Sequence, residues 1–392
     1  MIYKILARWI PRQRLFTVFL PALLWGDIFE AHAVPPATQR VYQPTRAQQR
    51  IEEENRKRDA RVQAIRRQNA AKQGQPAPAE PAVPPSAKIR YAWINSRRFV
   101  LLQDVARFYN MKISYQKDGI TLTGTDSIRF FYDKRMSVVN GITLYLTHAP
   151  VPRGALVYLD EKDFLLVIDP VVRDAPLWRH PLGTIMIDPG HGGRDNGAPG
   201  SKTILEKNVN LMIAAKLATR LRSMGYRVIM TRTDDRFISL QQRAEFCEKM
   251  KPDLYISIHC NATEKNRTIR GIETFAMTPQ DTASTNETRR GSSSGPGNSF
   301  DKNNYRLAYE VQKSLIAVTR TEDRGVKHAR FFVLRNATCP AILVETGFIS
   351  HPAEGALLAR SAYQDKIVTG IVSGISSYAK SLRPPETSKK RR

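Results

Sequence analysis

The chain has 392 residues, of which 42% are hydrophobic, so its length and composition indicate two or three domains with true cores. The 61 Lys and Arg residues outnumber the 36 Asp and Glu residues, and the net charge of +25 favours a polyanionic partner: nucleic acid, acidic lipid headgroups or an anionic envelope polymer. Three cysteines exclude a disulfide scaffold and leave at least one thiol unpaired.

The N-terminus has the pattern of a secretory signal. Basic residues between Lys4 and Arg14 precede the apolar run LFTVFLPALLW, and the small-residue pattern AHA follows at 31–33. We therefore predict a signal peptide over residues 1–33 and an exported protein, periplasmic or associated with the cell envelope. Asp27 and Glu30 are unusual before a cleavage site, so an uncleaved membrane anchor is the alternative. Export argues against nucleic acid as the partner.

Two further segments are predicted to lie outside any domain. Residues 34–87 carry almost no large apolar side chains and end in the run GQPAPAEPAVPPSAK, which is typical of a stiff, extended linker. Residues 384–392 form a basic tail. These basic segments are candidates for binding an anionic envelope surface.

Residues 88–174 predict a small α+β accessory domain without a catalytic cluster. The pattern gives a strand, a helix near Gln103–Tyr109, a strand pair about residues 117–119 and a second pair joined at 139–141. The stretches LLQDVARFYNMK, VNGITLYL and LVYLDEKDFLLVI resemble the copper amine oxidase N-terminal-like domain. No copper ligands follow from that resemblance. A spacer and a ligand-binding module remain open as roles.

From Leu182 onward, apolar strands alternate with helices. This alternation predicts an α/β catalytic domain over residues 180–383, with a mostly parallel sheet flanked by helices. The predicted elements in chain order are TIMID, a helix at 206–224, YRVIMTR, a helix at 240–250, DLYISIH, GIETFAM, a helix at 307–318, PAILVETGF and a helix at 364–381.

Four polar residues stand where these elements meet one rim of the predicted sheet. His191 follows TIMID, His259 ends DLYISIH, Glu345 ends PAILVE, and Glu206 opens the first helix. Sites in such sheets form at the carboxyl ends of strands. Two histidines and one carboxylate are the usual ligand set of a catalytic zinc, which leaves a second glutamate as general base. Each residue alone would more often be structural, but a buried glutamate after PAILV needs a partner or a task.

Six blocks of this region carry a family resemblance. IMIDPGHGGRDNGAPG, LEKNVNL, MTRTDD, SLQQRAEFCEKMKPDLYISIHCNA, RGIETFAM and CPAILVETGFISHPAE are similar to the zinc-dependent N-acetylmuramoyl-L-alanine amidases over residues 183–379. The resemblance implies His191, Glu206 and His259 as Zn²⁺ ligands and Glu345 as the catalytic glutamate. It implies peptidoglycan as substrate, cut at the amide between the lactyl group of muramic acid and L-alanine.

Two other functions remain open on the same residues. One is a peptidoglycan-binding protein that has lost catalysis, although such a protein would normally show a broken ligand set. The other is a zinc peptidase that cuts wall peptides. Cys260 is not expected to be a ligand, because neighbouring strand residues face opposite sides and it should point away from His259.

A further expectation concerns the structure of the segment from about Thr278 to Asn304. Regulated members of the family carry an inhibitory helix after the strand GIETFAM. Here the corresponding stretch is rich in Gly, Ser and Asn, which predicts a flexible loop beside the site rather than a plugging helix.

Overall fold

The computed structural model describes residues 89–382 except 199–203, 288–290 and 292–293. The described residues belong to one structural unit. The predicted signal peptide 1–33, the linker 34–87 and the basic tail 384–392 lie outside the described residues. Within the described part of the chain, no helix combines the length and apolarity needed to cross a membrane.

The segment before residue 175 is a pair of antiparallel sheets with short helices. The predicted helix is present as α1, and both predicted strand pairs occur as hairpins, β3–β4 and β6–β7. A single π-helical turn, Asp163–Ile168, leads into α2. The elements are β1 Tyr91–Ile94, β2 Arg97–Leu101, α1 Leu102–Phe108, β3 Lys112–Gln116, β4 Gly119–Thr123, β5 Ser127–Phe131, β6 Met136–Val139, β7 Ile142–Tyr145, β8 Val151–Arg153, β9 Leu156–Asp160 and α2 Asp169–Val172.

The segment after residue 180 contains every predicted strand and helix and three more elements. Strand β14 and the short helices α6 and α7 were not predicted, and the predicted 307–318 helix begins earlier, at Asp301. The elements are β10 Thr184–Pro189, α3 Glu206–Ser223, β11 Arg227–Met230, α4 Leu240–Met250, β12 Leu254–Asn261, β13 Ile272–Met277, α5 Asp301–Thr319, β14 Asp323–Ala329, α6 Phe332–Arg335, β15 Ala341–Phe348, α7 Pro352–Leu358 and α8 Ser361–Ser381.

The sheet of this segment is mixed and covered by helices, as expected of an α/β domain. Strands β11, β10, β12 and β15 run parallel in that order, whereas β13 is antiparallel to β15 and parallel to β14. Successive side chains alternate between two cores. Ile185 and Ile187 enter the larger core with residues of α3, α5 and α8, while Met186 enters the smaller core with residues of α4 and α6.

The predicted accessory domain shares its sheet with the segment after residue 180. Strand β7 pairs with β14 in parallel through Leu144 and Val326, so β3–β7 extend the sheet to eleven strands. Arg135, after β5, donates hydrogen bonds to the carbonyl oxygens of Ala283 at 3.0 Å and Glu287 at 2.9 Å. The predicted boundary between residues 174 and 180 is therefore not a break in the sheet.

This shared sheet leads to a prediction about truncation. A fragment of residues 180–383 should melt at least about 10 °C below a fragment of residues 88–383, because it exposes the β14 edge and the core that Leu144 and Leu146 help to fill. Circular dichroism melting of the two fragments is the measurement. Equal melting temperatures would show that the segments fold independently.

Candidate metal centre

The first histidine is held in an unusual backbone conformation. His191 has a left-handed φ of 62°, which is strained for a residue with a Cβ and is often found at functional sites. The preceding Gly190 is required by close approach, since a Cβ there would overlap the His259 ring. The glycine loop after β10 thus allows the His191 imidazole to approach the His259 imidazole at the ends of the strands.

Three of the four predicted residues converge on one point. Glu206 is the first residue of α3, and its carboxylate lies between the two imidazoles. Its Oε2 is 3.2 Å from His191 Nε2, and its Oε1 is 3.1 Å from His259 Nδ1. One donor atom from each residue falls within a 4.8 Å cluster. The structure therefore brings together His191, Glu206 and His259.

This donor set fits zinc. Zn²⁺ takes nitrogen and oxygen donors in tetrahedral geometry at about 2.0–2.2 Å, which separates donors by roughly 3.4 Å. In the structure one donor atom from each of the three residues lies within 4.8 Å of the other two, so modest side-chain adjustment would place all three around one ion. The carboxylate is also fixed in place, because it accepts hydrogen bonds from the backbone N–H of Ala198 at 2.6 Å and of Cys260 at 3.1 Å. The Asn210 side-chain amide donates a third, at 3.1 Å.

The electrostatics of the cluster favour a cation. Burial acts to raise the pKa of Glu206, but the two imidazoles hold that pKa well below its usual value. Burial acts to lower the pKa of His191, yet the Glu206 charge and the Asp195 hydrogen bond raise it to about 10. A buried carboxylate that stays ionised and draws positive charge onto its neighbours is suited to binding a metal ion.

Glu345 lies one strand away from His259. The two residues are register partners on β12 and β15, so their side chains leave the same face of the sheet. Glu345 is buried, and no described residue hydrogen-bonds its Oε2. Burial raises the pKa of Glu345 well above its usual value, and the charges of Glu206 and Glu273 raise it further. A buried carboxyl group with a raised pKa and one oxygen free of hydrogen bonds to the described residues is suited to carrying a proton.

Glu273 on β13 is the register partner of Glu345 on β15, but its carboxylate already has hydrogen-bond and ion-pair partners. It accepts hydrogen bonds from Asn261 Nδ2 at 2.6 Å and Arg324 Nε at 3.2 Å, and it forms an ion pair with Lys327. These contacts hold the Glu273 carboxylate within the structure, whereas Glu345 Oε2 has no hydrogen-bond partner among the described residues.

Two buried arginines hold the His191 loop from behind. Arg232 donates to the carbonyl oxygens of Pro189 at 3.0 Å and Gly190 at 2.8 Å. Arg243, from α4, donates to the His191 carbonyl oxygen at 2.7 Å and forms an ion pair with buried Asp188. Burial opposes ionisation of Asp188, but Arg243 and its hydrogen-bond donors hold the pKa to about 2. Asp188 and Arg232 are thus part of the frame of the loop.

Asp195 is a site residue that the sequence analysis did not single out. Its Oδ2 lies 2.8 Å from His191 Nδ1, the ring nitrogen that faces away from Glu206. A carboxylate on the remote nitrogen of a metal-binding histidine is a common way to orient the ring. The only signal in the sequence was its position four residues after His191 in HGGRD.

Cys260 behaves as the alternation of the strand predicts. Its thiol belongs to the larger core and lies 3.3 Å from Thr346 Oγ1, whereas His259 faces the other way. Burial raises the pKa of the Cys260 thiol well above its usual value, which disfavours the thiolate that a metal ligand must supply.

A second group of potential donors lies in the accessory segment. One donor atom each from His148, Asp160 and Asp163 falls within a 4.8 Å cluster. The oxygens of Asp163 already accept the backbone N–H groups of Thr147 at 2.7 Å and His148 at 3.0 Å. These contacts secure the turn between β7 and β8, and they explain the burial of the aspartate without a metal.

The expectation that the 278–304 loop lies beside the site is wrong. Because β13 is antiparallel to β15, its end at Met277 pairs toward the start of β15, away from Glu345, so the loop leaves from the opposite edge of the sheet. Its described parts are also well packed: Thr278 and Thr282 are buried, and residues 296–300 form a 3-10 helix. The polar composition is satisfied by hydrogen bonds, such as that from Asn298 Nδ2 to the Thr278 carbonyl at 2.9 Å.

Comparison with known proteins identifies the catalytic segment. The family model described as N-acetylmuramoyl-L-alanine amidase matches residues 185–377. The amidase AmiA of Salmonella typhimurium is 34% identical over 218 residues, which cover 50% of this chain and 75% of AmiA. The chain belongs to this amidase family. The predicted enzyme class, an N-acetylmuramoyl-L-alanine amidase, is confirmed for the matched segment.

Other relatives show the same match with different overall lengths. The amidase LytC of Bacillus subtilis is 37% identical over 195 residues, and this chain spans only 35% of its length. An amidase crystal structure from Clostridium difficile 630 is 36% identical, with a TM-score of 0.44, and the match covers 52% of this chain and 99% of that one. Both matches cover about half of this chain, and the chain spans about a third of the length of LytC.

Proposed function

We propose that the whole protein is a zinc-dependent, exported N-acetylmuramoyl-L-alanine amidase that remodels the cell wall or separates cells. The observation that carries the proposal is the cluster of His191, Glu206 and His259 with Glu345 on the adjacent strand. A ligand set with an open side and a proton-carrying glutamate next to it is what amide hydrolysis by activated water requires.

Zinc held by His191, Glu206 and His259 would supply Lewis acidity, which activates water and polarises the amide carbonyl. Glu345 takes the proton of the attacking water and passes it to the departing nitrogen of L-alanine. Burial raises the pKa of Glu345, and a buried carboxyl group with a raised pKa is better suited to proton transfer than an exposed glutamate. The neighbouring Glu273 forms an ion pair with Lys327 and helps to fix that face of the sheet.

Asp195 would orient the ligand His191 from its far side, which gives a testable expectation. Asp195→Asn should lower zinc affinity by about 10- to 100-fold, because the ring loses a charged acceptor on Nδ1. Zinc titration against a competing chelator measures the change. Asp234→Asn is the matched control, because Asp234 pairs with Arg236 rather than with a histidine, and it should leave affinity unchanged. An unaltered affinity in Asp195→Asn would remove the positioning role.

The remaining parts of the proposal concern place and partners. The predicted signal at 1–33 would export the chain to the periplasm or envelope, and the basic linker and tail would bind an anionic envelope surface. The resemblance of residues 88–174 to the copper amine oxidase N-terminal-like domain belongs here too, with boundaries at 88–174 and 180–383 as proposed. Co-sedimentation with anionic-lipid vesicles or an anionic wall polymer tests whether the tail binds such a surface. Full-length protein is compared with protein that lacks residues 384–392.

The decisive experiment is digestion of purified peptidoglycan by the full chain, followed by mass spectrometry of the products. An amidase releases intact stem peptides that begin with L-alanine and leaves glycan with free lactyl carboxylates. A zinc peptidase would leave alanine on the muramic acid and shorten the peptides. Sedimentation with the wall and no released product, in a zinc-loaded protein, would indicate a non-catalytic wall-binding protein.

A further inference from the structure

Two of the three cysteines lie in contact inside the smaller core. Cys247 is in the last turn of α4, and Cys339 lies just before β15. Both thiols are buried in the same cluster of side chains, with exposed fractions of 1% and 3%. Each thiol perturbs the pKa of the other, lowering that of Cys247 and raising that of Cys339, as expected of neighbouring thiols. Cys247 Sγ also lies 3.8 Å from Thr338 Oγ1, on the residue next to Cys339.

We propose that Cys247 and Cys339 form a disulfide bond when the chain folds in an oxidising compartment. The bond would link α4 to the residues that immediately precede β15. Helix α4 carries Arg243, which holds the His191 loop, and β15 carries Glu345. The cross-link therefore joins two segments that frame the metal centre, and it closes a long loop, which is the case in which a disulfide constrains the unfolded chain most.

The chemistry needs a disulfide donor of the small-molecule or dithiol-protein class, such as oxidised glutathione. One cysteine thiolate attacks a donor sulfur, which forms a mixed disulfide and releases one donor thiolate. The second cysteine thiolate then attacks the protein sulfur of the mixed disulfide and releases the second donor thiolate. The two cysteine protons pass to these two leaving groups, so that two cysteines are oxidised and one donor disulfide is reduced.

The environment of the pair supports this order of events. Burial of both thiols excludes a donor from the folded protein, so the bond forms during folding. Cys260 lies in the other core, against Thr346, and stays a free thiol.

The test uses the full chain, unfolded and reduced, and then refolded in a mixture of reduced and oxidised glutathione. After denaturation with iodoacetamide and without a reductant, mass spectrometry should show one alkylated cysteine, Cys260, and a linked pair of peptides containing Cys247 and Cys339. With prior reduction it should show three alkylated cysteines. Three alkylated cysteines without reduction, or a link that includes Cys260, would overturn the proposal.

A stability measurement shows whether the disulfide forms in the native fold rather than in misfolded chains. Reduction should lower the melting temperature of the refolded protein by roughly 5–10 °C, and the double variant Cys247→Ala with Cys339→Ala should show no such shift. Cys260→Ala is the matched control and should keep the shift. An equal shift in the double variant and in the refolded wild-type protein would mean that the reductant acts elsewhere.

Discussion

His259→Ala should lose most of its zinc and all measurable hydrolysis of peptidoglycan. His259 supplies one of three donor groups in the cluster, and removing a ligand should weaken zinc binding by more than the roughly 100-fold upper cost of removing an orienting neighbour. Its imidazole is at the rim of the sheet with a side-chain exposure of 20%, so truncation leaves the apolar strands packed. Metal analysis after dialysis and release of stem peptides are the two measurements.

The matched control for this variant is His180→Ala. That histidine stacks on Trp178 and lies outside the cluster, so zinc content and hydrolysis should stay at the wild-type level. Circular dichroism should show the same folded content for both variants. A His259→Ala protein with full hydrolysis would refute the assignment of this cluster as the catalytic metal centre.

The position of the site was predictable because each of its residues ends or begins an element with a strong pattern. TIMID and DLYISIH are apolar runs that read as buried strands, and the residues that follow them must reach the same edge of a parallel sheet. Glu345 was predictable for a different reason: a glutamate after five apolar residues is costly to bury without a function. These are local signals, and each could be read within about ten residues.

The parts that were not predictable depend on partners distant in the chain. Asp195 and Arg243 act on His191 through contacts that no periodicity records. Strand β14, DRGVKHA, was not predicted because its charged residues interrupt the apolar pattern of a strand. It lies between β13 and β7 in the sheet, and its buried Lys327 forms an ion pair with Glu273. In this case, tertiary pairing supplies what the local apolar pattern lacks.

The direction of β13 explains the error about the 278–304 loop. GIETFAM reads equally well as a parallel or an antiparallel strand, since direction is set by its pairing with β15 and not by its own residues. Antiparallel pairing moves the end of the strand, and the loop after it, to the edge opposite Glu345. The composition of the loop was correctly seen as polar, but its hydrogen bonds to Arg135 and within itself were not visible in the sequence.

Glu345→Gln should keep its zinc and lose about 10²- to 10⁴-fold in the rate of hydrolysis, the range typical of removing a general base. The substitution preserves the size of the side chain but removes the group that takes the water proton. Since Glu345 is not among the three clustered donors, zinc content should stay at that of the wild-type protein. Single-turnover release of stem peptides, alongside metal analysis of the same sample, measures both quantities.

Two comparisons make this result specific to Glu345. Glu322→Gln changes a side chain with 55% exposure away from the row of buried glutamates, so its rate should equal that of the wild-type protein. Glu273→Gln should weaken the fold more than the chemistry, because it leaves buried Lys327 without its ion-pair partner. If Glu345→Gln retained turnover while a folded Glu273→Gln lost it with zinc still bound, the proton would be carried by Glu273, and the contacts of Glu273 with Lys327 and Arg324 would have to be read as tuning a base rather than neutralising a structural charge.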